Sequence, residues 1–342
     1  MKREPFSPVG SCARTFLVAA AVAALAAPGL AQDSILVADF SGSRVVKLAF
    51  PSGAPQSHFV GTGMTAINGT EYMTYGPGGS LYIASYNNSS VFRVDGQTGE
   101  PIGTFVASGS GGLSGAVGIA FGPDGRLYVS SNLTHSVAVY NGSTGAFISL
   151  FVTPGLGTLT NAQGIAFDGA GDLYVCSYGN DKVLKYSGTT GAFISEALTA
   201  GQLGINGPRG IMFDAGGRMY VCSQLSHSIV VKDPVAGVSL LASNATIPAL
   251  LQPGQPALSA GGDLLVPCQG NGTVQRLNRN TGASLGTLVQ GGAGGMTNAV
   301  ICVVYKPSLV PCYANCDNST SPPVLNINDF ICFQARFAAG CQ

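Results

Sequence analysis

The stretch Val117–Val152, VGIAFGPDGRLYVSSNLTHSVAVYNGSTGAFISLFV, returns from Gln163 as QGIAFDGAGDLYVCSYGNDKVLKYSGTTGAFISEAL and from Arg209 as RGIMFDAGGRMYVCSQLSHSIVVKDPVAGVSLL. A fixed period outranks local propensity here, because one repeat is one supersecondary unit that cannot bury its apolar face alone. A single glycine recurs at Gly53, Gly99, Gly145, Gly191, Gly237 and Gly282, 46 residues apart each time except for a last interval of 45. Leu36, Tyr82, Tyr128, Tyr174, Tyr220 and Leu265 keep the same register, so the units number six.

Each unit parses into four short strands, predicted over Val117–Gly122, Leu127–Ser131, Ser136–Asn141 and Ala146–Val152 in the unit quoted first. The turn GPDGR joins the first two: Pro presets φ, Asp accepts a local backbone bond, and Gly takes the positive φ that other residues resist. STGAF does the same between the third and fourth. Four antiparallel strands repeated six times predict an all-β, six-bladed β-propeller, with twisted sheets packed face to face around an axis. The first unit starts late, since SILVADF aligns with the second strand of the others. TNAVICVVYKPS, Thr297–Ser308, aligns with the lead into the inner strand AQGIAF, Asn298 matching Asn161. A strand over 298–305 would therefore complete blade one and close the ring without a free edge. The expected divisions are 1–31, 32–306 and 307–342.

Only 9% of residues are charged, acids and bases balance at 16 each, and Trp is absent. That surface has no electrostatic footprint for nucleic acid or anionic membranes. Lys2, Arg3 and Arg14 precede the apolar run TFLVAAAVAALAAPGL, and Gly29 and Ala31 fit a cleavage site before Gln32. The segment 1–31 therefore reads as a signal peptide, and the protein as secreted, periplasmic or exposed at the extracellular surface. The run from Thr15 to Leu30 falls short of the ~20 residues a spanning helix needs, so no membrane span is expected in the mature chain. Cys12 precedes that run instead of following it, which argues against a lipid anchor.

The segments GPDGRLYVSS and GAGDLYVCSYGNDKVLKY resemble the NHL repeat family of six-bladed propellers, over about Asp33 to Tyr305. The resemblance implies the fold but not one activity, since such propellers include lyases, lactonases and binding scaffolds. A binding scaffold that needs no cofactor is the first reading, and a metal-assisted lyase or lactonase using the axial opening is the alternative. In a propeller the loops from strand two to three, and from strand four into the next blade, open on one face where ligands usually sit. Asn68, Asn161, Asn206 and Asn298 fall there just before inner strands, with Ser114 in blade three. They form either an amide ring around the opening or a set of self-closing turns.

His135 and His227 are two periods apart, at a second-loop position also held by Ser89, Asp181 and Gly272. A histidine base or metal ligand needs a carboxylate or a second imidazole beside it, and Asp181 is the one acidic candidate; the alternative is an exposed loop histidine. Gluconolactonase-like propellers hold a divalent metal with an acidic residue near the first blade. Here that blade offers Asp39 but lacks their Glu-containing motif. No phosphate loop, nucleophile elbow or HExxH is present, and no catalytic residue is assigned. The Tyr of each LYV strand reads as packing core rather than a sugar platform.

Cys176 and Cys222 share one register on adjacent blades and so cannot face each other. Cys268 lies one residue off that register and points the other way, so it either shares a gap with Cys222 or turns its back on it. Sheets stack ~10 Å apart, so free buried thiols are expected.

From Pro311 the sequence becomes PCYANCDNSTSPPVLNINDFICFQARFAAGCQ. Cys312, Cys316, Cys332 and Cys341 imply two disulfides in an exported chain, with the pairing open. Phe330, Phe333 and Phe337 share one face of a short helix ended by Gly340. The loop before it resembles half of a dockerin, the EF-hand-like module that anchors secreted bacterial proteins. The resemblance implies Ca²⁺ ligands at Asn315, Asp317, Ser319, the Val324 carbonyl, Asn326 and Asp329. TSPP stands where that family turns on Gly, and one loop stands where it has two, so a disulfide-held loop–helix without calcium is the alternative. The whole then reads as a secreted or cell-surface scaffold that binds a protein or carbohydrate partner and is anchored through its tail.

Overall fold

The computed structural model describes residues 33–61, 67–297 and 300–306. Blade one contains β1 (Ser34–Asp39), β2 (Arg44–Ala49) and β3 (Pro55–Val60). Blade two contains β4 (Thr70–Tyr75), β5 (Leu81–Ser85), β6 (Ser90–Val94) and β7 (Pro101–Val106), and blade three β8 (Ala116–Phe121), β9 (Leu127–Ser131), β10 (Ser136–Tyr140) and β11 (Phe147–Val152). Blade four follows with β12 (Ala162–Phe167), β13 (Leu173–Ser177), β14 (Lys182–Tyr186) and β15 (Phe193–Leu198). Blade five has β16 (Pro208–Phe213), β17 (Met219–Ser223), β18 (Ser228–Asp233) and β19 (Gly237–Ser243). Blade six has β20 (Ala257–Leu258), β21 (Asp263–Cys268), β22 (Thr273–Asn278) and β23 (Ser284–Val289), and the last strand is β24 (Val300–Lys306).

These strands form six four-stranded antiparallel sheets, and β24 joins β1 as the inner strand of blade one. The pairing runs from Ser34 opposite Lys306 to Ala38 opposite Cys302, with a register shift before Asp39. The protein is a six-bladed β-propeller, closed by the strand that follows Thr297. Two side chains of blade one fix the seam. Fully buried Asp39 accepts from Arg44 Nε at 2.9 Å, from the Thr297 N–H at 3.1 Å and from the Thr297 hydroxyl, and Arg44 Nη2 donates to the Gly295 carbonyl. Asp39, which the lactonase comparison made a metal candidate, is thus committed to the clasp.

The recurrent glycine has two physical causes. Each of the six takes a left-handed φ between 70° and 82°, which costs a residue with a Cβ about 1–2 kcal/mol. At Gly53, Gly99, Gly145, Gly191 and Gly282 a Cβ would also lie 1.8–2.0 Å from an outer-strand carbonyl of the preceding blade. Gly237 meets nothing within 4 Å, so there only φ calls for glycine.

The second-strand tyrosines do pack the blades together. Tyr82 lies edge-on to Phe105 of its own blade and to Phe121 of the next, with both centroid separations 4.9 Å, and Tyr128 repeats this with Phe151 and Phe167. Tyr174 meets Phe213 of blade five at the same 4.9 Å. The terminal Phe of each GIAF or GIMF segment is therefore the socket for the preceding blade's tyrosine.

Cys176, Cys222 and Cys268 are buried and free. Cys222 and Cys268 share the apolar layer between blades five and six, whereas Cys176 lies in the layer between blades four and five. Burial pushes all three thiols up, Cys268 to about 12. Among the described residues no helix is long and apolar enough to cross a membrane. The proposed signal peptide, Asn298, the tail cysteines Cys312, Cys316, Cys332 and Cys341, and Asn315, Asp317, Ser319, Val324, Asn326 and Asp329 lie outside the described residues.

Candidate functional site

The loops joining strands two and three, and those joining each blade to the next, open on one face, here called upper. Each inner strand starts at that face, and its approach is set by a serine at the end of strand two. Ser85, Ser131, Ser177 and Ser223 accept through Oγ from the backbone N–H of Asn68, Ser114, Thr160 and Asn206 at 2.8–2.9 Å. The same hydroxyls donate back to those residues' carbonyls at 2.8–3.2 Å. The turn is closed through backbone, so Asn, Ser or Thr serves equally and no amide ring is required. Asn68 Oδ1 accepts from Asn87, and the Asn206 side chain is exposed. Asn161 is one residue out of this register: it takes a φ of 50° where the neighbouring units have Gly69, Gly115 and Gly207. Asn is the residue type that best tolerates that replacement.

The second-loop candidates form another repeating device. Ser43, Ser89, His135, Asp181 and His227 all have φ between 49° and 61°. Their side chains accept backbone N–H bonds from the following blade, at Gly69, Gly115, Asn161, Gly207 and Gln252, over 2.7–3.0 Å. Both histidines accept at Nδ1, which leaves the proton on Nε2. His135, Asp181 and His227 therefore staple adjacent blades, and none of the three points at another as a base or metal ligand would. Among the described residues no three His, Cys, Asp or Glu side chains converge.

What does converge is a set that sequence reading passed over. Glu71 and Arg209 occupy the second position of β4 and β16, on blades two and five, which face each other across a six-membered ring. Arg209 Nη2 donates to both Glu71 oxygens, at 2.9 and 2.8 Å, and the two residues are only 3% and 8% exposed. Burial pushes the Glu71 carboxyl up against the pull of Arg209. Burial alone would lower Arg209, but Glu71 overrides that and holds the guanidinium charged. Directly below, the Tyr72 hydroxyl donates to the Arg209 carbonyl at 2.7 Å, its ring lying against Gly164. Glycines at 118, 164 and 210 let adjacent blades crowd together at the axis, since a Cβ at each would lie 2.3–2.5 Å from a backbone carbonyl of the next blade. The axis is thereby plugged. A cavity of about 340 Å³ remains beneath the plug, capped by Tyr72 and Gln255 and lined by Phe121, Phe167 and Phe213.

Above the plug lies a rim built from the residue that follows each second strand. Tyr86 donates to Asn132 Oδ1 at 3.3 Å, and Tyr178 to Gln224 Oε1 at 2.9 Å. Gln224 Nε2 donates to Gln269 Oε1, which also accepts from Arg209 Nη1 at 3.3 Å. Burial pushes both phenols up and keeps them protonated as donors, against an opposing pull from Arg209, with Glu71 adding at Tyr86 and Asp181 at Tyr178. Leu133 and Leu225, 54% and 48% exposed, stand beside Tyr86 and Tyr178 over Gly115 and Gly207. A signal for this site did exist: positions 71, 117, 163, 209, 255 and 301 read Glu, Val, Gln, Arg, Gln, Ile, and the only two charges are three units apart.

Arg209 Nη2 engages both Glu71 oxygens, so the carboxylate is held in place by the guanidinium across the axis.

No protein-family model matches the sequence, and no curated protein matches it either. Solved structures match the fold. A chain from the crystal structure of a nidogen/laminin complex superposes with a TM-score of 0.62 at 15% identity, covering 80% of this chain and 98% of that one. A protein of unknown function from Bacteroides caccae gives 0.60 at 13% identity, covering 80% and 99%.

Proposed function

We propose that this chain is an exported interaction propeller that docks a partner on its upper face, with residues 307–342 as a dockerin-like anchor. The observation that carries this reading is the upper mouth: a buried, mutually neutralised Glu71–Arg209 floor under a rim of tyrosines, amides and exposed leucines. Tyrosine and apolar anchors around a desolvated centre, with few charges, are what a docking surface uses. The structural neighbour from a nidogen/laminin complex supports an interaction role. The resemblance to NHL propellers and the leader-like segment 1–31 complete the proposal from the sequence.

The test uses the immobilised full chain and the secreted and envelope fractions of its source, with captured proteins identified by mass spectrometry. Wild type is compared with the Leu133→Asp/Leu225→Asp pair and with Leu285→Asp on the outer strand β23. A partner kept by wild type and Leu285→Asp but lost by the upper pair is expected. Capture indifferent to the upper pair, or metal-dependent turnover of lactone substrates, would reject the reading. Calcium titration of the full chain, with Asp317→Ala and Asp329→Ala, tests the anchor separately: no heat change on adding Ca²⁺ would remove calcium from it.

A further inference from the structure

Two buried polar atoms at the upper mouth have no partner within the protein: Gln163 Oε1 and Arg209 Nε. Both residues are 8% exposed, and they occupy the same register on the adjacent inner strands of blades four and five. One is an acceptor, the other a donor. Native proteins rarely leave such atoms unanswered, and a neighbouring pair of opposite sense specifies what is missing. A hydroxyl group accepts from Nε–H and donates to Oε1 with a single oxygen.

Charge narrows the class. Glu71 cancels Arg209 at 2.8 Å, so a carboxylate or phosphate entering the mouth would meet Glu71, and a cation would meet Arg209. The rim then sets polarity. Asn132 Oδ1 is taken by Tyr86, and Gln269 Oε1 by Arg209 and Gln224, which leaves their NH₂ ends as donors for ligand oxygens. The half-buried rings of Tyr86 and Tyr178 add apolar surface on two blades of the rim.

We propose that the upper mouth binds an uncharged, hydroxyl-rich ligand, a neutral sugar residue, with one hydroxyl bridging Gln163 and Arg209. This rests on the upper-face docking reading and names the chemistry presented there, as a glycan carried by the partner.

The full chain is probed on an array of neutral oligosaccharides beside their sialylated and sulfated counterparts, and the strongest neutral sugar is titrated by NMR. Neutral sugars are expected to bind with an affinity insensitive to added salt. Gln163→Leu should weaken binding about tenfold with an unchanged melting curve, and Leu285→Asp should leave it intact. No binding, binding of charged glycans alone, or equal binding by Gln163→Leu overturns the proposal. So does a sugar-soaked crystal that shows only a water, or a peptide segment, between Gln163 and Arg209. Partner capture that depends on Leu133 and Leu225 but is unmoved by Gln163→Leu and by competing sugar sinks the ligand class while leaving docking intact. Sugar binding without upper-face capture does the reverse.

Discussion

Replacing Glu71 by Leu would leave the Arg209 guanidinium, always charged, in a site only 8% exposed with neither of its carboxylate acceptors. Removing one partner of a buried pair costs about 3–5 kcal/mol. At about 2–4 °C per kcal/mol for a domain approaching this size, melting should fall by roughly 6–20 °C. Glu71→Gln should lose less than Glu71→Leu, because the amide oxygen can still accept from Nη2 although the charge of Arg209 is no longer balanced. Adding Arg209→Met to Glu71→Leu should restore most of the loss, since well-packed apolar replacements of a buried pair are often neutral or stabilising. The chain offers its own precedent, with Val117 and Ile301 in the same register. Trp is absent, so near-ultraviolet dichroism and tyrosine fluorescence follow the urea and thermal transitions. A Glu71→Leu protein within about 1 kcal/mol of wild type, or a double variant no better than the single, would show that the pair is solvated and that the axis is not plugged as described.

The paired substitutions Gly145→Ala and Gly237→Ala separate two causes of glycine. With φ of 73° and 82°, both pay for left-handed backbone, about 1–2 kcal/mol less about 0.4–1 regained from a stiffer unfolded chain. Only Gly145 also drives a Cβ to 1.8 Å from the Phe105 carbonyl, so its loss in urea melts should be larger by about 1–3 kcal/mol; equal losses would disprove the inter-blade contact. Asp39→Ala should lower stability by about 3–5 kcal/mol by freeing the seam and stranding Arg44. A chain ending at Lys306 should melt like the full one and a chain ending at Met296 should not, and matching melts for all three would refute the clasp. Asp233 is held down at about 2 by the N–H groups of Ala236 and Val235 and by Arg218. Its folded value lies below the ordinary 3.8, so its contribution is present above that pH and fades as pH falls towards 2. Asp233→Asn should erase that part of the acid dependence, and an NMR titration midpoint near 3.8 would contradict the assignment.

The fold was legible because its cause is local and repeated. Each unit carries its own turns on a period of 46 or 45 residues, and four of the six share the second-strand Tyr, so strand count, blade count and the closing strand all follow from alignment of the chain with itself. The site was legible only as a face. Asn68, Asn161 and Asn206 fitted either an amide ring or self-closing turns; at Asn68 and Asn206 the serine of strand two closes the turn through backbone, and Asn161 donates its N–H to His135. His135, Asp181 and His227 fitted either a base or metal site or exposed loop positions, yet what their position requires is an acceptor, which Ser43 and Ser89 supply equally well.

Residue type and period were enough to establish six blades, an end-to-start clasp and tyrosine packing, since neighbouring units meet in the order in which they are written. The Glu71–Arg209 plug, the rim above it and the orphaned Gln163 oxygen required the ring to close. Glu71 and Arg209 stand 138 residues apart. They meet only because six equal rotations carry the second blade to face the fifth, and because glycines draw the inner strands close enough for two side chains to span the axis. Burial there turns an otherwise solvated charge pair into a neutral, water-poor floor, and no local pattern reports that desolvation.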